Sequence, residues 1–302
     1  MKINLIVILG PTASGKTALA ARLARDIGSE IISADSRQVY RGMNLGTGKD
    51  TDEYCVDGLP VPYHLIDIVN PDEDFSVFDY QKRFFRCFSE LSGRGILPVM
   101  AGGTGLYIEA VIQGYGMHEV PENEDLRREL AGQGMDELRH RLLSRRPAAH
   151  NTTDLKDRAR LIRAIEIAEH ADGDSPPESR PPIVPLVIGI HWDRAVLRQR
   201  ITDRLHRRLS AGMIEEVRML RDAGIGWERL FYFGLEYRYI GLYLQGRMDY
   251  GEMCRTLETK IHQFAKRQET WFRRMERRGI RIHWVESGDS AAITRIVRSS
   301  VQ

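Results

Sequence analysis

The chain has 302 residues, 42% apolar and 28% charged, with a formal net charge of +2. That balance is ordinary for a soluble globular protein with one large or two small domains. It holds no run of 18 apolar residues that could span a membrane. Its three cysteines, Cys55, Cys87 and Cys254, are too scattered for a disulfide framework or a zinc site. The cytoplasm is the expected compartment, and no export signal is expected ahead of the first strand. The first strand, Ile3 to Leu9, leads into Gly10-Pro11-Thr12-Ala13-Ser14-Gly15-Lys16-Thr17, which fits the phosphate-loop pattern G-x-x-x-x-G-K-[ST]. A helix-like run, Ala18 to Ile27, follows, and this context separates a working loop from a chance match. Glycines let backbone N–H groups turn around an anion, and the new helix points its positive end at the same spot. Lys16 would neutralise phosphate oxygens and Thr17 would ligate Mg²⁺. The pattern therefore predicts a bound di- or triphosphate, without saying what becomes of it.

Further strands are expected at Glu30–Ala34, Ile96–Ala101, Val184–Ile190 and Ile280–Val285, alternating with helical stretches. This predicts an α/β fold, a P-loop NTPase-like parallel sheet flanked by helices. Ligands of such sheets sit at the carboxyl ends of the strands, where Lys16, Asp35 and Thr104 all fall. From about Gln113 to Arg180 the strand pattern stops. Charged helical segments, Asp125–Leu130 and Asp136–Leu143, replace it and predict a helical insertion. Its exit holds Pro176, Pro177, Pro181, Pro182 and Pro185 and reads as an extended linker. The expected division is a catalytic core of residues 1–112 and 181–302 around an insertion of residues 113–180. Long helical stretches follow from Arg194 to Asp222 and from Glu252 to Arg278. In the second, Met253, Leu257, Ile261, Phe264, Phe272 and Met275 recur at core spacing.

Charge is uneven. Residues 1–100 carry 11 Lys/Arg against 13 Asp/Glu, whereas residues 255–281 carry 9 against 3, a net of +6. The basic segment fits either a polyanion partner or a solvated helix face. Lys266, Arg267, Arg273 and Arg274 read as charges surplus to folding. Of these, Arg267 and Arg273 are the two that could brace core acids instead. Asp35, in Asp35-Ser36-Arg37-Gln38, could ligate Mg²⁺, accept a proton from a nucleophile, or simply cap a turn. Asp67 is a rival acid, and His64 reads as structural. Gly102-Gly103-Thr104-Gly105 would bring backbone amides and a hydroxyl near the phosphates.

Several segments together resemble the tRNA dimethylallyltransferase family. They are Gly10–Thr17; Asp35-Ser36-Arg37-Gln38-Val39-Tyr40 with Leu45-Gly46-Thr47-Gly48-Lys49; Ala101-Gly102-Gly103-Thr104; Arg160-Leu161-Ile162-Arg163-Ala164-Ile165-Glu166; and Ala265-Lys266-Arg267-Gln268-Glu269-Thr270-Trp271-Phe272-Arg273. They occur in family order over about residues 5 to 285. The resemblance implies transfer of a dimethylallyl group from dimethylallyl diphosphate to N6 of adenosine 37 in the tRNA anticodon loop. It implies diphosphate on Gly10, Thr12, Ala13, Ser14, Gly15, Lys16 and Thr17, with Mg²⁺ at Thr17. Asp35 would be the general base, Thr104 a reaction-centre residue and Arg238 an active-site arginine. The tRNA would meet Asp35, Ser36, Arg37, Gln38 and Thr104, with Arg160 and Arg163 of the insertion. It would also meet Lys266, Arg267, Gln268, Thr270, Trp271 and Arg273. Two departures stand out. Arg238 aligns with the family's G-Y-R-Q arginine when counted back from Tyr243-Leu244-Gln245-Gly246, but Glu236 intervenes in Gly234-Leu235-Glu236-Tyr237-Arg238. Thr47-Gly48-Lys49 replaces the usual T-A-K, a change expected to matter little. A monomer is expected, since no oligomerisation segment stands out. A phosphate-loop kinase and a regulated nucleic-acid-binding module are the competing classes.

Overall fold

A computed structural model of the chain describes residues 2–117, 120–145, 155–170, 180–286 and 289–301. It divides into two compact units: Met1–Tyr115 with Arg180–Gln302, and Gly116–Ser179. The first is built on β1 (Leu5–Leu9), whose five residues are all fully buried. An unbroken apolar run of this kind is what a strand covered on both faces requires. With β2 (Ile31–Ser33), β3 (Cys55–Val56), β4 (Leu59–Pro60), β5 (Tyr63–His64), β6 (Val99–Gly102), β7 (Pro185–His191) and β8 (Ile282–Glu286), it makes two sheets. The six-stranded sheet runs β5-β2-β6-β1-β7-β8, with parallel pairing throughout. β3 and β4 form a separate antiparallel hairpin.

Alternation of side chains along the central strand sorts the helices onto two faces. Leu5, Val7 and Leu9 meet α2 (Val77–Gly93), α3 (Gly105–Ile112), α7 (Arg194–Ser210), α8 (Met213–Asp222), α10 (Leu235–Leu244) and α11 (Tyr250–Arg277). Ile6 and Ile8 meet α1 (Lys16–Asp26) and α12 (Ser290–Val301). α9 (Trp227–Tyr232) completes this unit. The second unit packs α4 (Glu124–Ala131), α5 (Met135–Arg145) and α6 (Arg158–His170) around Leu130, Leu138, Leu161 and Ile165. Among the described residues, no helix is long and apolar enough to cross a membrane.

Two expectations need correction. The stretch Arg194–Asp222 is two helices, because the chain turns at Ala211-Gly212. In α11 the core position is Ala265, and Phe264 is 41% exposed. Steps of four and three from Ile261 through Ala265, Gln268, Phe272 and Met275 keep one straight stripe, and Phe264 lies about 100° off it. The strands β3, β4 and β5 fall in a segment with no periodicity, since two residues are too few to show one. Pro176 and Pro177 lie outside the described residues.

Candidate active site

The phosphate loop leaves β1 and closes onto α1. Ala13 adopts φ 62° and Gly15 φ 79°. The left-handed conformation costs a non-glycine residue roughly 1–2 kcal/mol, so something must hold Ala13 there. Arg200 donates Nε–H to the Ala13 carbonyl at 2.9 Å, and the Trp192 indole donates to the Ser14 carbonyl at 2.9 Å. The Thr12 N–H is held by Gln268 Oε1 at 2.8 Å. Lys16 lies half-buried beneath the loop, its Nζ 3.3 Å from the Pro11 carbonyl. Burial and then Arg204 lower its pKa to about 8, with Asp35, Glu53 and Asp50 opposing them.

Beside the loop opens a cleft of about 520 Å³, lined by Gly15, Lys16 and Thr17 on one side and by Arg200, Arg204 and Arg208 on the other. The arginines stand one turn apart along α7 and so share a face. Arg204 donates to Thr12 Oγ1 at 3.2 Å and to Asp50 at 2.5 Å, and Arg208 reaches Asp50 at 3.3 Å. Four cations around backbone amides at a helix N-terminus make an anion site. Thr17, Asp50 and Glu53 supply the hard oxygen donors that suit Mg²⁺. Asp50 is engaged by arginines, and no trio of acidic, His or Cys side chains among the described residues could hold a metal unaided. A Mg²⁺ ion here would depend on oxygens of the bound phosphates and water.

Asp35 follows β2. Its Oδ1 accepts the N–H groups of Arg37 at 2.9 Å and Gln38 at 3.4 Å. The turn-capping and chemical readings are thus compatible, because Oδ2 is left over. Thr104 Oγ1 accepts the Ser36 N–H at 3.0 Å, fixing the two strand ends together. The glycines beside it are there for space. A Cβ on Gly103 would sit 2.4 Å from Gln268 Nε2, and one on Gly105 would sit 2.3 Å from the Trp271 ring. Gln268 also donates to the Gly103 carbonyl at 2.9 Å, so one buried amide ties the phosphate loop to this turn.

The positions implied by resemblance separate accordingly. Gln268 is no surface RNA contact, because both ends of its amide are used inside the protein. Trp271 packs on Gly105, with the Arg274 guanidinium 3.7 Å over its ring. Lys266, Arg267, Thr270 and Arg273 are exposed on α11, and the Thr270 hydroxyl donates back to the Lys266 carbonyl. On α6, Arg160 is exposed, whereas Arg163 is bound to the Val120 and Pro121 carbonyls and to Glu166. Arg238 is exposed on α10. Glu236 of the same helix lines a small cavity with Thr12, Arg204 and Arg208. Two residues turn a helix by about 200°, so Arg238 faces away from that cavity. The arginines that touch the phosphate loop are Arg200 and Arg204, from α7.

Arg274 is the other correction. It pairs at 2.8 Å with Glu109, a fully buried carboxylate that Arg278 also meets at 2.7 Å. Burial alone would push Glu109 up, but the two guanidiniums outweigh it and hold the carboxyl below its ordinary value. Their contribution is present near neutrality and lost as acid titrates Glu109 through that lowered value. Arg274→Ala should therefore destabilise the fold by on the order of 2 kcal/mol, less than a fully stripped pair because Arg278 remains. Lys266→Ala should leave stability unchanged, weaken tRNA binding and flatten its salt dependence by up to about one unit. Denaturant melts and tRNA affinities across a salt series separate the two. An Arg274→Ala protein as stable as wild type would contradict the pairing.

Several supporting residues carry no motif. Glu216, buried in α8, accepts the N–H groups of Asn44, Leu45 and Gly46 at 2.8, 2.7 and 2.9 Å and the Tyr237 hydroxyl at 2.8 Å. Lys49, buried, donates to the Tyr40 carbonyl and pairs with Asp67 at 2.5 Å, so Asp67 braces this loop. His64 is structural, 2.7 Å from Glu30. Gly48 matters more than expected: its φ is +70° and a Cβ there would meet Arg208 at 2.0 Å. Glu216→Ala would orphan four donors and should cost about 3–5 kcal/mol. A loss below about 1 kcal/mol in chemical denaturation would contradict that role.

A parallel sheet with a phosphate loop, an arginine-lined cleft and a carboxylate at the next strand end defines a P-loop enzyme acting on a phosphorylated ligand. The family model described as IPP transferase matches residues 38–275, and that described as isopentenyl transferase matches residues 1–58. The chain belongs to the IPP transferase family. It is 59% identical over 301 residues to tRNA dimethylallyltransferase 1 of Syntrophus aciditrophicus (strain SB), covering 99% of each chain. A crystal structure of a tRNA isopentenylpyrophosphate transferase from Bacillus halodurans superposes with a TM-score of 0.72 at 33% identity, covering 99% of this chain and 97% of that one. A eukaryotic dimethylallyltransferase acting on tRNA shares the fold at TM-score 0.76 and 19% identity, over 96% of this chain and 75% of that one.

Proposed function

We propose that this protein transfers a dimethylallyl group from dimethylallyl diphosphate to N6 of adenosine 37 in the tRNA anticodon loop, releasing diphosphate. The observation that carries the reading is a four-cation phosphate cleft beside Asp35: Thr104 ties the Asp35-Ser36 turn to the Gly103 turn, where a Cβ would lie 3.5 Å from Lys16 Cε. The adenine amine is a poor nucleophile, because its lone pair is delocalised into the ring. As the N6–C bond forms, Asp35 takes the amine proton on its free oxygen. As the allylic C–O bond breaks, Lys16, Arg204 and the loop amides stabilise the charge on the departing diphosphate. Mg²⁺ at Thr17 would add charge neutralisation on the same oxygens. The target base must leave the loop stack to reach Asp35, as for other enzymes that act on bases. Lys266, Arg267 and Arg273 of α11 and Arg160 of the helical unit are the exposed cations offered to RNA phosphates. The protein acts as a monomer in the cytoplasm.

A phosphate-loop kinase is the alternative, and the family does not favour it. The test is product analysis with tRNA as acceptor. The proposal expects inorganic diphosphate from the allylic substrate with no ATP consumed. ATP turnover without diphosphate release from the allylic substrate would overturn it.

A further inference from the structure

Tyr232 is the last residue of α9, and 49% of it is exposed. Its position is nonetheless fixed. The ring meets Phe233 edge-on at 5.8 Å and 70°, and Phe233 is buried against Tyr40 and Tyr237. One turn earlier, the Arg229 guanidinium lies 5.0 Å from the Tyr232 centroid. It is held by the Pro71 carbonyl at 2.7 Å, by Asp74 at 2.5 Å and by the Glu73 carbonyl. The Arg37 guanidinium lies 4.9 Å over the same ring. Among the described residues, Arg37 has no ion pair and no side-chain hydrogen bond, so all five of its donors are uncommitted. The ring is thus held at the surface with an uncommitted planar cation over it.

Its location is specific. The Arg37 N–H is held by the Asp35 carboxylate at 2.9 Å. Arg37 therefore touches both the strand-end carboxylate, through its N–H, and the Tyr232 ring, through its guanidinium, which sets the pair beside a base presented to Asp35. Unstacked RNA bases are held on aromatic faces and on arginine planes, and every base offers a π-face.

We propose that Tyr232 and Arg37 form a preformed stacking platform for an unpaired base of the RNA loop next to the base that is modified. This rests on the tRNA reading above. Tyr232 sets how the loop is splayed, and Arg37 adds donors for that base's edge or its phosphate.

The test is equilibrium binding of a synthetic anticodon stem-loop RNA to wild type and to Tyr232→Phe, Tyr232→Leu and Tyr232→Ala, with thermal melts in parallel. Stacking on an aromatic ring predicts a loss of about 5- to 150-fold for Leu and Ala, and Phe within about twofold of wild type. A packing role would not divide Phe from Leu in this way. An RNA abasic at one of the nucleotides flanking the target should lose the same factor against wild type and nothing further against Tyr232→Ala. Leu binding as Phe does, or abasic losses identical in wild type and Tyr232→Ala, would overturn the platform. Wild type that binds the RNA but never transfers the prenyl group would instead overturn the proposed reaction, leaving the binding series to judge the platform.

Discussion

Lys16→Ala should abolish measurable transfer, a loss on the order of 10³-fold or more, while the protein remains folded. The ammonium is the cation inside the loop, placed where negative charge develops on the leaving group, and preorganised charge of this kind dominates many catalysed reactions. Its contribution to the fold is small or negative. Nζ touches the Pro11 carbonyl at 3.3 Å, and burial lowers its pKa to about 8. Removing it relieves that burial. The same shift sets a pH dependence. Above pH 8 a growing share of empty sites hold a neutral lysine, and bound diphosphate favours the protonated form, so diphosphate affinity should fall as pH rises. That fall should vanish in Lys16→Ala. Turnover near the wild-type rate in Lys16→Ala would rule out the phosphate-loop mechanism.

Asp35→Ala should slow transfer by on the order of 10²–10⁴, the usual contribution of a positioned general base. Alanine also removes the acceptor for the Arg37 and Gln38 N–H groups, so part of its effect could come from the turn. Asp35→Asn separates the two contributions. The amide oxygen can still cap the turn, while the nitrogen cannot take a proton. Asn should lose nearly as much rate as Ala, with tRNA affinity close to wild type. An equal fall in affinity and rate in Asp35→Asn would make Asp35 a recognition residue.

The phosphate loop, the parallel sheet and the strand-end carboxylate were legible because each leaves a local signature: Gly10–Thr17, the buried run of β1, and Asp35 directly after β2. What escaped depends on contacts between distant segments. Arg200, Arg204 and Arg208 share a helix face at four-residue spacing, a visible signal, but nothing in their neighbourhood says that the face meets a loop nearly two hundred residues earlier. Glu216 has no motif at all, because its role is to receive the backbone of residues 44–46. The basic segment of α11 misled at Arg274. Net charge counts cations and cannot show that one of them is neutralised by the buried Glu109 of α3. Counting back by spacing selects Arg238 but cannot show which face of α10 it takes: it is exposed, while Glu236, two residues earlier, lines the small cavity with Thr12, Arg204 and Arg208.

The most direct measurement is an incubation of the protein with labelled dimethylallyl diphosphate and bulk tRNA, followed by digestion to nucleosides. The account predicts label in N6-dimethylallyladenosine, one diphosphate released for each group transferred, and no need for ATP. Unlabelled tRNA, from protein that instead consumes ATP to phosphorylate a small molecule, would contradict it.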